Sequence, residues 1–228
     1  MQRAGLWRFP LVTASVFGVT AAGAVAQALV PGLLGMLERA PAGLHGEWWR
    51  LVSALIVQDG GAVGALSNLI FLALIGTAAE QVLSRTRWLV QYLGTGVIAE
   101  LVGYAWQPVG AGNSIAICGV TAALALALWR GPAQAPPWSA PALVIWSAAL
   151  LATISPAVAI PAIVLGAVAT GLTSAATGRG VPVTRPVAIL VLAVGIALSI
   201  LTNLHGAALL IGLVIAIPYR RTAATRRS

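Results

Sequence analysis

Residues 62–79 read AVGALSNLIFLALIGTAA, a stretch without a single charged side chain. A helix of about 20 such residues spans the hydrocarbon core of a bilayer. A helix also satisfies its own backbone hydrogen bonds, which lipid cannot do. One amide, Asn68, interrupts the stretch, and a polar side chain is costly in lipid unless it is paired or functional. The stretch therefore predicts a transmembrane helix that carries a candidate functional residue.

Further apolar runs of this kind follow one another along the chain. Of the 228 residues, 59% are hydrophobic and 8% are charged, whereas a soluble domain carries about 25% charged residues. The composition thus predicts an all-α, polytopic transmembrane helical bundle of about 8 spans. The spans are expected at residues 10–33, 62–79, 88–106, 114–129, 140–154, 157–176, 187–202 and 204–219.

Two of the boundaries between these spans are weak. One is the break at Ser155 and Pro156, and the other is the break at Asn203 and Leu204. A proline can begin a helix or kink one. Pro156 and Pro161 therefore leave open the alternative of one longer, kinked helix in place of two.

The basic residues, all of them arginines, give the bundle a direction. The 13 arginines contribute to a net charge of +8. With eight alternating spans and a cytoplasmic N-terminus, eleven lie inside and only Arg39 and Arg50 lie outside. This positive-inside bias predicts two cytoplasmic termini, a transmembrane domain over residues 1–220 and an Arg-rich cytoplasmic tail over 221–228. Arginines between apolar runs indicate contact with the lipid bilayer and not with nucleic acid.

A serine and a histidine stand at the outer ends of two spans that run in the same direction. Ser114 follows Gly112 and Asn113 in a glycine-rich outer loop, and His205 begins the last span. We expect both at the same depth near the outer surface. A serine within hydrogen-bond reach of a histidine is the minimum for an activated nucleophile. No carboxylate is placed to orient the histidine, so the pattern favours a dyad over a triad.

Each of these polar residues also has a purely structural interpretation. Asn113 or Ser114 before an apolar run is the usual N-cap of a helix. His205 could instead be packed against a neighbouring carbonyl. Asn68 could donate to an oxyanion or make a hydrogen bond between helices.

Two carboxylates in the spans require separate explanations. Glu100 has no evident basic partner at its depth, so we expect it to be protonated or hydrogen-bonded within the bundle. Glu80 lies near Arg85 and Arg87, where an ion pair is the simplest expectation. An intramembrane carboxylate would also fit a small membrane transporter. Against that alternative, no strip of polar residues crosses several helices, as a permeation path requires.

The order and spacing of these motifs resemble the rhomboid family of intramembrane serine proteases. Residues 46–53, GEWWRLVS, are similar to the Trp-Arg segment of the family's first loop, and residues 76–80 are similar to its G-x-x-x-E motif. The likeness covers residues 46–128 and resumes at 201–212. The single positions that match are Tyr92, Gly94, Gly96, Gly112, Asn113, Ser114, Gly119, His205, Gly206 and Gly212.

The resemblance implies a six-helix core that cleaves a transmembrane protein substrate without a metal or cofactor. Ser114 would be the nucleophile and His205 the general base and acid. Asn68 and the backbone N–H of Ser114 would form the oxyanion hole. The spans at 140–154 and 157–176 would then be an extra helical hairpin. The Arg-only, Ala-rich composition adds the expectation of a bacterial cell membrane.

Two departures from the family pattern leave open whether the chain is an active protease. Gly64 stands where the family usually carries a histidine, four positions before the asparagine, so one oxyanion donor is missing. Gln58 or Asp59 lies nearby and could partly substitute. Ile115 replaces the glycine that normally follows the serine. A catalytically inactive relative that binds transmembrane helices is therefore the alternative to a protease.

Overall fold

The computed structural model describes residues 7–131 and 135–219, and these residues form helices and loops without a β-strand. The predicted all-α fold is thereby confirmed. Arg3 and the predicted Arg-rich tail at 221–228 lie outside the described residues. Long helices occupy all the predicted positions: α1 (Leu11–Leu29), α2 (Gly61–Val82), α3 (85–106), α4 (Ser114–Arg130), α5 (Ser139–Ala152), α6 (Pro156–Gly178), α7 (Thr184–Ile200) and α8 (Leu204–Ala216).

The helices differ in how well their length fits a bilayer. By length and composition, α1, α2 and α6 are long and apolar enough to cross a membrane. Helices α4, α5, α7 and α8 are apolar but shorter, with 17, 14, 17 and 13 residues. The number of membrane crossings therefore stays a prediction.

Both weak boundaries are true helix ends. Helix α5 ends at Ala152, and α6 begins at Pro156. A proline at the first position of a helix removes an N–H that would be unpaired in any case. At the second boundary, α7 ends at Ile200 and Asn203 caps α8. The alternative of a single kinked helix is therefore wrong.

Helix α4 lies at the centre of the bundle and contacts α2, α3, α7 and α8. It is apolar on all faces, and a helix of that kind is stable only where neighbours surround it. Most of its residues, including all those from Ile115 to Ala125, are buried. Helix α6 is the opposite case, because it packs on α5 and buries only Gly166. The outer helix α6 of the predicted hairpin thus lies at the edge of the bundle, whereas α5 buries most of its residues against α6, α7 and α2.

A π-helical turn interrupts each of α2 and α3, at Leu72–Gly76 and Val90–Gly94. Such a turn widens the helix by one residue and changes which backbone groups are paired. The fully buried indole of Trp88 donates from Nε1 to the carbonyl of Gly76 at 3.0 Å. The same ring stacks on Tyr92, with 5.2 Å between centroids. Trp88 therefore joins the two helices at their irregular turns.

Glu80 does not make the ion pair expected from its neighbours in the sequence. Its carboxylate accepts hydrogen bonds from the backbone N–H groups of Val12 and Thr13 at 3.1 and 2.9 Å, and from the Thr13 hydroxyl at 2.9 Å. The two N–H groups belong to the first turn of α1, where backbone donors have no partner within the helix. A negative charge at a helix N-terminus is stabilising. Glu80 therefore anchors α1 to α2, and the predicted pairing with Arg85 or Arg87 is wrong.

The connection between α1 and α2 folds over the loop that precedes α4. It contains three short helices, Leu33–Leu37, Pro41–His45 and Arg50–Ser53. Arg39 and Gly110 exchange two backbone hydrogen bonds of 2.9 and 3.1 Å. We call this connection, residues 30–60, the outer segment. It determines the position of the residues immediately before Ser114.

Candidate active site

Ser114 is the first residue of α4, and a rigid loop presents it. Gly112 has a φ of 143°, a conformation that residues with a side chain rarely adopt. Its N–H donates to the carbonyl of Ala54 at 2.8 Å. The N–H of Ala111 donates to the carboxylate of Asp59 at 2.9 Å. The outer segment therefore fixes the backbone directly before the serine.

The structure brings Ser114 and His205 into hydrogen-bond contact across 91 positions of sequence. The distance from Ser114 Oγ to His205 Nε2 is 2.9 Å. His205 lies in the first turn of α8, which Asn203 caps by accepting from the His205 N–H at 3.0 Å. The hydroxyl of Ser114 thus faces an imidazole, and Asn113, the residue before α4, makes no side-chain cap. This geometry allows the serine proton to pass to the histidine.

Glycines allow the two helices to approach closely enough for this contact. A Cβ atom at Gly212 of α8 would lie 2.6 Å from the Cα of Gly119 in α4. A Cβ at Gly119 would collide with the carbonyl of Gln91 and with Thr95 in α3. A Cβ at Gly206 would lie 2.6 Å from the carbonyl carbon of Leu198 in α7. Small residues at such positions let helices in membranes pack at short distance.

Asn68 lies beside the serine in a cluster of amides. Its Nδ2 donates to Oε1 of Gln58 at 2.7 Å, and Nε2 of Gln58 donates to Oδ1 of Asn113 at 3.2 Å. A Cβ built on Gly112 would lie 3.4 Å from Gln58 Oε1, 3.5 Å from Ser114 Oγ and 3.6 Å from Asn68 Nδ2. These three polar atoms therefore surround one point next to Gly112. An amide nitrogen carries two protons, so Asn68 keeps one donor beyond its bond to Gln58.

Gln27 supports this cluster, although the sequence patterns considered above did not indicate it. Its Nε2 donates to the carbonyl of Gln58 at 2.7 Å, and its Oε1 accepts from the Gln58 N–H at 2.8 Å. Gln27 lies in α1, inside the first apolar run, so the rule on polar residues in spans would have found it. The two bonds immobilise Gln58. In contrast, a Cβ built on Gly64 would meet nothing within 4 Å. The space beside the position where the family usually carries a histidine is therefore empty.

Ser114 and His205 line a cavity of about 310 Å³. Its apolar wall includes Ile115 and Leu204, and its polar wall includes Asp59. Such a volume is at the lower end of what small ligands occupy in proteins. The cavity therefore gives room for a few residues of an extended chain, or for water, next to the serine.

A buried ion pair forms the far wall of this cavity and corrects the expectation for Glu100. The guanidinium of Arg39 pairs with Glu100, and the two side chains are 3% and 1% exposed. Arg39 Nε also donates to the carbonyl of Gln107 at 2.9 Å. The sequence prediction that Glu100 lacks a basic partner is therefore wrong. Arg39 lies in the outer segment, 61 positions away, and folds down beside α3.

The described parts of the chain offer no obvious metal site. No group of three or more His, Cys, Asp or Glu side chains is close enough to hold an ion in residues 7–131 and 135–219. Cys118 is buried within α4. The chemical groups that face the cavity are therefore a hydroxyl, an imidazole, amides and charged side chains.

Comparisons with known proteins agree with this architecture. The Rhomboid domain family matches residues 45–222. Over 76 residues, the chain is 33% identical to YdcA of Bacillus subtilis (strain 168), a protein that carries the name of a rhomboid protease. That alignment covers 31% of the chain and 38% of YdcA.

A second relative is "Rhomboid protease GluP" of the same organism, which is 36% identical over 81 residues. The alignment covers 35% of the chain but 16% of GluP. The matched region thus spans well under two thirds of either relative. No solved structure matches the chain significantly.

Proposed function

Because the chain belongs to the rhomboid family, we propose that it is an intramembrane serine endopeptidase that cleaves transmembrane protein substrates. One observation carries this proposal: Ser114 Oγ lies 2.9 Å from His205 Nε2 at the wall of a cavity. A hydrogen bond of this length is what a serine nucleophile and its general base require.

The arrangement supports a two-step acyl transfer. Ser114 Oγ attacks the carbonyl carbon of the scissile peptide while its proton moves to His205 Nε2. The resulting imidazolium then protonates the leaving amine, which departs and leaves an acyl-enzyme on Ser114. Water attacks this ester, with His205 again accepting the proton, and Ser114 is released. The cavity beside the pair would admit both the substrate and the water.

The negative oxygen of the intermediate needs hydrogen-bond donors. The backbone N–H of Ser114 is one candidate, because the first N–H groups of a helix have no partner within it. The free proton on Asn68 Nδ2 is another, since this atom and Ser114 Oγ flank the same point beside Gly112. Gln58 contributes to this oxyanion site by holding the Asn68 amide in place. Ile115 forms part of the cavity wall next to Ser114.

Replacement of Asn68 by alanine tests the oxyanion role. We expect kcat for a transmembrane substrate to fall about 10²- to 10³-fold, as it does when an enzyme loses one oxyanion donor. The matched control is Ser67→Ala, which removes a polar group one position away on the same helix. Cleavage by Asn68→Ala within threefold of the wild-type rate would leave the backbone N–H as the sole donor.

We place the serine and histidine near the outer surface of a bacterial cell membrane, with both termini in the cytoplasm. Contacts that arginines make at the opposite end of the bundle support this direction. Arg130 donates to the carbonyls of Ile217 and Tyr219 at the end of α8, at 2.8 and 2.7 Å. Arg87 lies 5.1 Å from the centre of the Tyr219 ring. These arginines form a basic end, as the positive-inside rule expects of a cytoplasmic face.

Covalent labelling provides the direct test of the proposal. A fluorophosphonate reacts with a serine only where a base activates it, so folded protein in detergent should be labelled at Ser114, as located by peptide mass spectrometry. Heat-unfolded protein should not react. The Ser114→Ala variant keeps all other serines and should also remain unlabelled. If the folded wild-type chain does not react, the chain is the inactive, helix-binding relative and not a protease.

A further inference from the structure

The second nitrogen of the His205 ring has a partner of its own. His205 Nδ1 lies 2.9 Å from Oδ1 of Asn203, the residue that caps α8. On the other side, Nδ2 of Asn203 lies 3.0 Å from the Thr153 hydroxyl, and this hydroxyl lies 2.7 Å from the carbonyl of Leu150. Thr153 belongs to the turn between α5 and α6. An unbroken series of hydrogen bonds thus connects the edge of the bundle with Ser114.

We infer that Asn203, held by Thr153 of the α5–α6 hairpin, is a positioning residue that keeps the imidazole proton of His205 on Nδ1. This inference rests on the proposed function, because it assigns to the hairpin the orientation of the catalytic base. The hairpin is the part of the chain that the six-helix core does not contain.

The direction of each hydrogen bond follows from the one before it. A carbonyl only accepts, so the Thr153 hydroxyl donates its single proton to Leu150. The Thr153 oxygen can then only accept, and the Asn203 amide must turn its NH₂ group towards it. Oδ1 of Asn203 therefore faces His205, and an oxygen of this kind cannot donate. The proton of a neutral His205 ring consequently lies on Nδ1.

This proton position is the one that serine activation needs. With a proton on Nδ1, the lone pair of a neutral imidazole lies on Nε2. Nε2 faces the Ser114 hydroxyl at 2.9 Å and can accept its proton. A free histidine side chain favours the opposite tautomer, with the proton on Nε2, which would block this transfer. An uncharged amide thus performs the orienting task that a carboxylate performs in a triad.

The backbone before Asn203 is strained in a way that fits this task. Thr202 has a φ of 52° and is the one non-glycine residue with a positive φ in the described parts of the chain. For a β-branched residue this conformation is unusual and energetically unfavourable. It occurs in the short turn between α7 and α8, where the chain reverses. The turn places Asn203 so that it contacts both His205 and Thr153.

The position of the proton can be observed without any measurement of activity. The chain contains two histidines, and His45 is exposed in the outer segment. A His45→Gln background therefore leaves His205 as the only histidine for ¹⁵N labelling. In detergent-solubilised protein, we expect ¹⁵N chemical shifts of a protonated Nδ1 and an unprotonated Nε2. In the same background, Thr153→Val should shift the population towards the other tautomer.

Kinetic measurements then distinguish a loss of His205 positioning from a loss of folding. Thr153 is exposed, so valine removes the hydroxyl without leaving a cavity. We expect kcat to fall about 10-fold, the lower end of the loss seen when a metal-bound histidine loses the hydrogen-bond partner that orients it, with KM and the thermal unfolding midpoint unchanged. The matched control is Thr170→Val in α6, whose hydroxyl donates to the Gly166 carbonyl at 2.7 Å and to no other group in the described parts of the chain.

The results distinguish this inference from the proposed function. A proton on Nε2 in the His45→Gln background, or an unchanged tautomer and kcat in Thr153→Val, overturns the inference even if Ser114 is labelled. An equal loss of kcat in Thr170→Val also overturns it, because the effect would then be general. If Ser114 is not labelled while Nδ1 is protonated and Thr153→Val shifts that proton, the positioning is established and the protease proposal fails.

Discussion

Alanine at Ser114 or at His205 is expected to abolish cleavage of a transmembrane substrate. Each variant should lower kcat by a factor on the order of 10⁴ to 10⁶, as in other enzymes where a serine and a histidine act as one unit. Without Ser114 no acyl-enzyme can form, and without His205 the hydroxyl keeps its proton. Because the two side chains act together, the double variant should be no slower than either single variant. The measurement is cleavage of a model single-span substrate in proteoliposomes.

The second histidine of the chain provides a control for this experiment. His45→Ala removes the other histidine, which is exposed in the outer segment, and should cleave at the wild-type rate. Equal thermal unfolding midpoints for all variants would exclude loss of the fold. Cleavage that persists in Ser114→Ala or in His205→Ala would rule out the proposed mechanism.

Arg39→Met is expected to destabilise the protein by about 3–5 kcal/mol, the usual cost of removing one partner of a buried ion pair. Glu100 would be left without its partner in a site where the side chain is 1% exposed. The bond from Arg39 to the Gln107 carbonyl would be lost as well. The measurement is the free energy of unfolding in mixed micelles under conditions in which unfolding is reversible.

Two further variants make this prediction specific. Glu47→Gln breaks the pair between Arg50 and Glu47, whose side chains are 10% and 37% exposed. Arg50 keeps its bonds to the carbonyls of Gly35 and Glu38 and water reaches the carboxylate, so we expect a loss of about 1 kcal/mol or less. The double variant Arg39→Met with Glu100→Leu removes both charges and should regain most of the lost stability. If Arg39→Met is as stable as Glu47→Gln, the pair between Arg39 and Glu100 does not hold the outer segment on α3.

The helices could be predicted from the sequence because each one is a long apolar run with a polar or helix-breaking end. The break at Pro156 and the cap at Asn203 were visible as residue types, although only the structure decides that each separates two helices. The π-helical turns were not predictable, since nothing in Leu72–Gly76 or Val90–Gly94 differs from ordinary helical sequence. They shift the helical register, so a simple helical periodicity misplaces the residues that follow.

The candidate site was partly predictable for a different reason. The arginine distribution gave each span a direction, and direction alone put Ser114 and His205 at one end of the bundle. Their partners could not be derived in this way. Arg39 reaches Glu100 from a loop 61 positions away, and Asn203 reaches Thr153 across 50 positions. Such contacts depend on how the outer segment and the hairpin pack, which periodicity does not encode.

The contact between Ser114 and His205 also has a consequence for the biosynthesis of the protein. The two residues are 91 positions apart, and α5, α6 and α7 are synthesised between them. At about 5–20 residues per second, a ribosome needs roughly 5–18 s to cover that distance. Throughout this interval Ser114 has no imidazole beside it, because His205 has not yet been translated. On the proposed mechanism, proteolytic competence would therefore arise only when α8 joins the bundle.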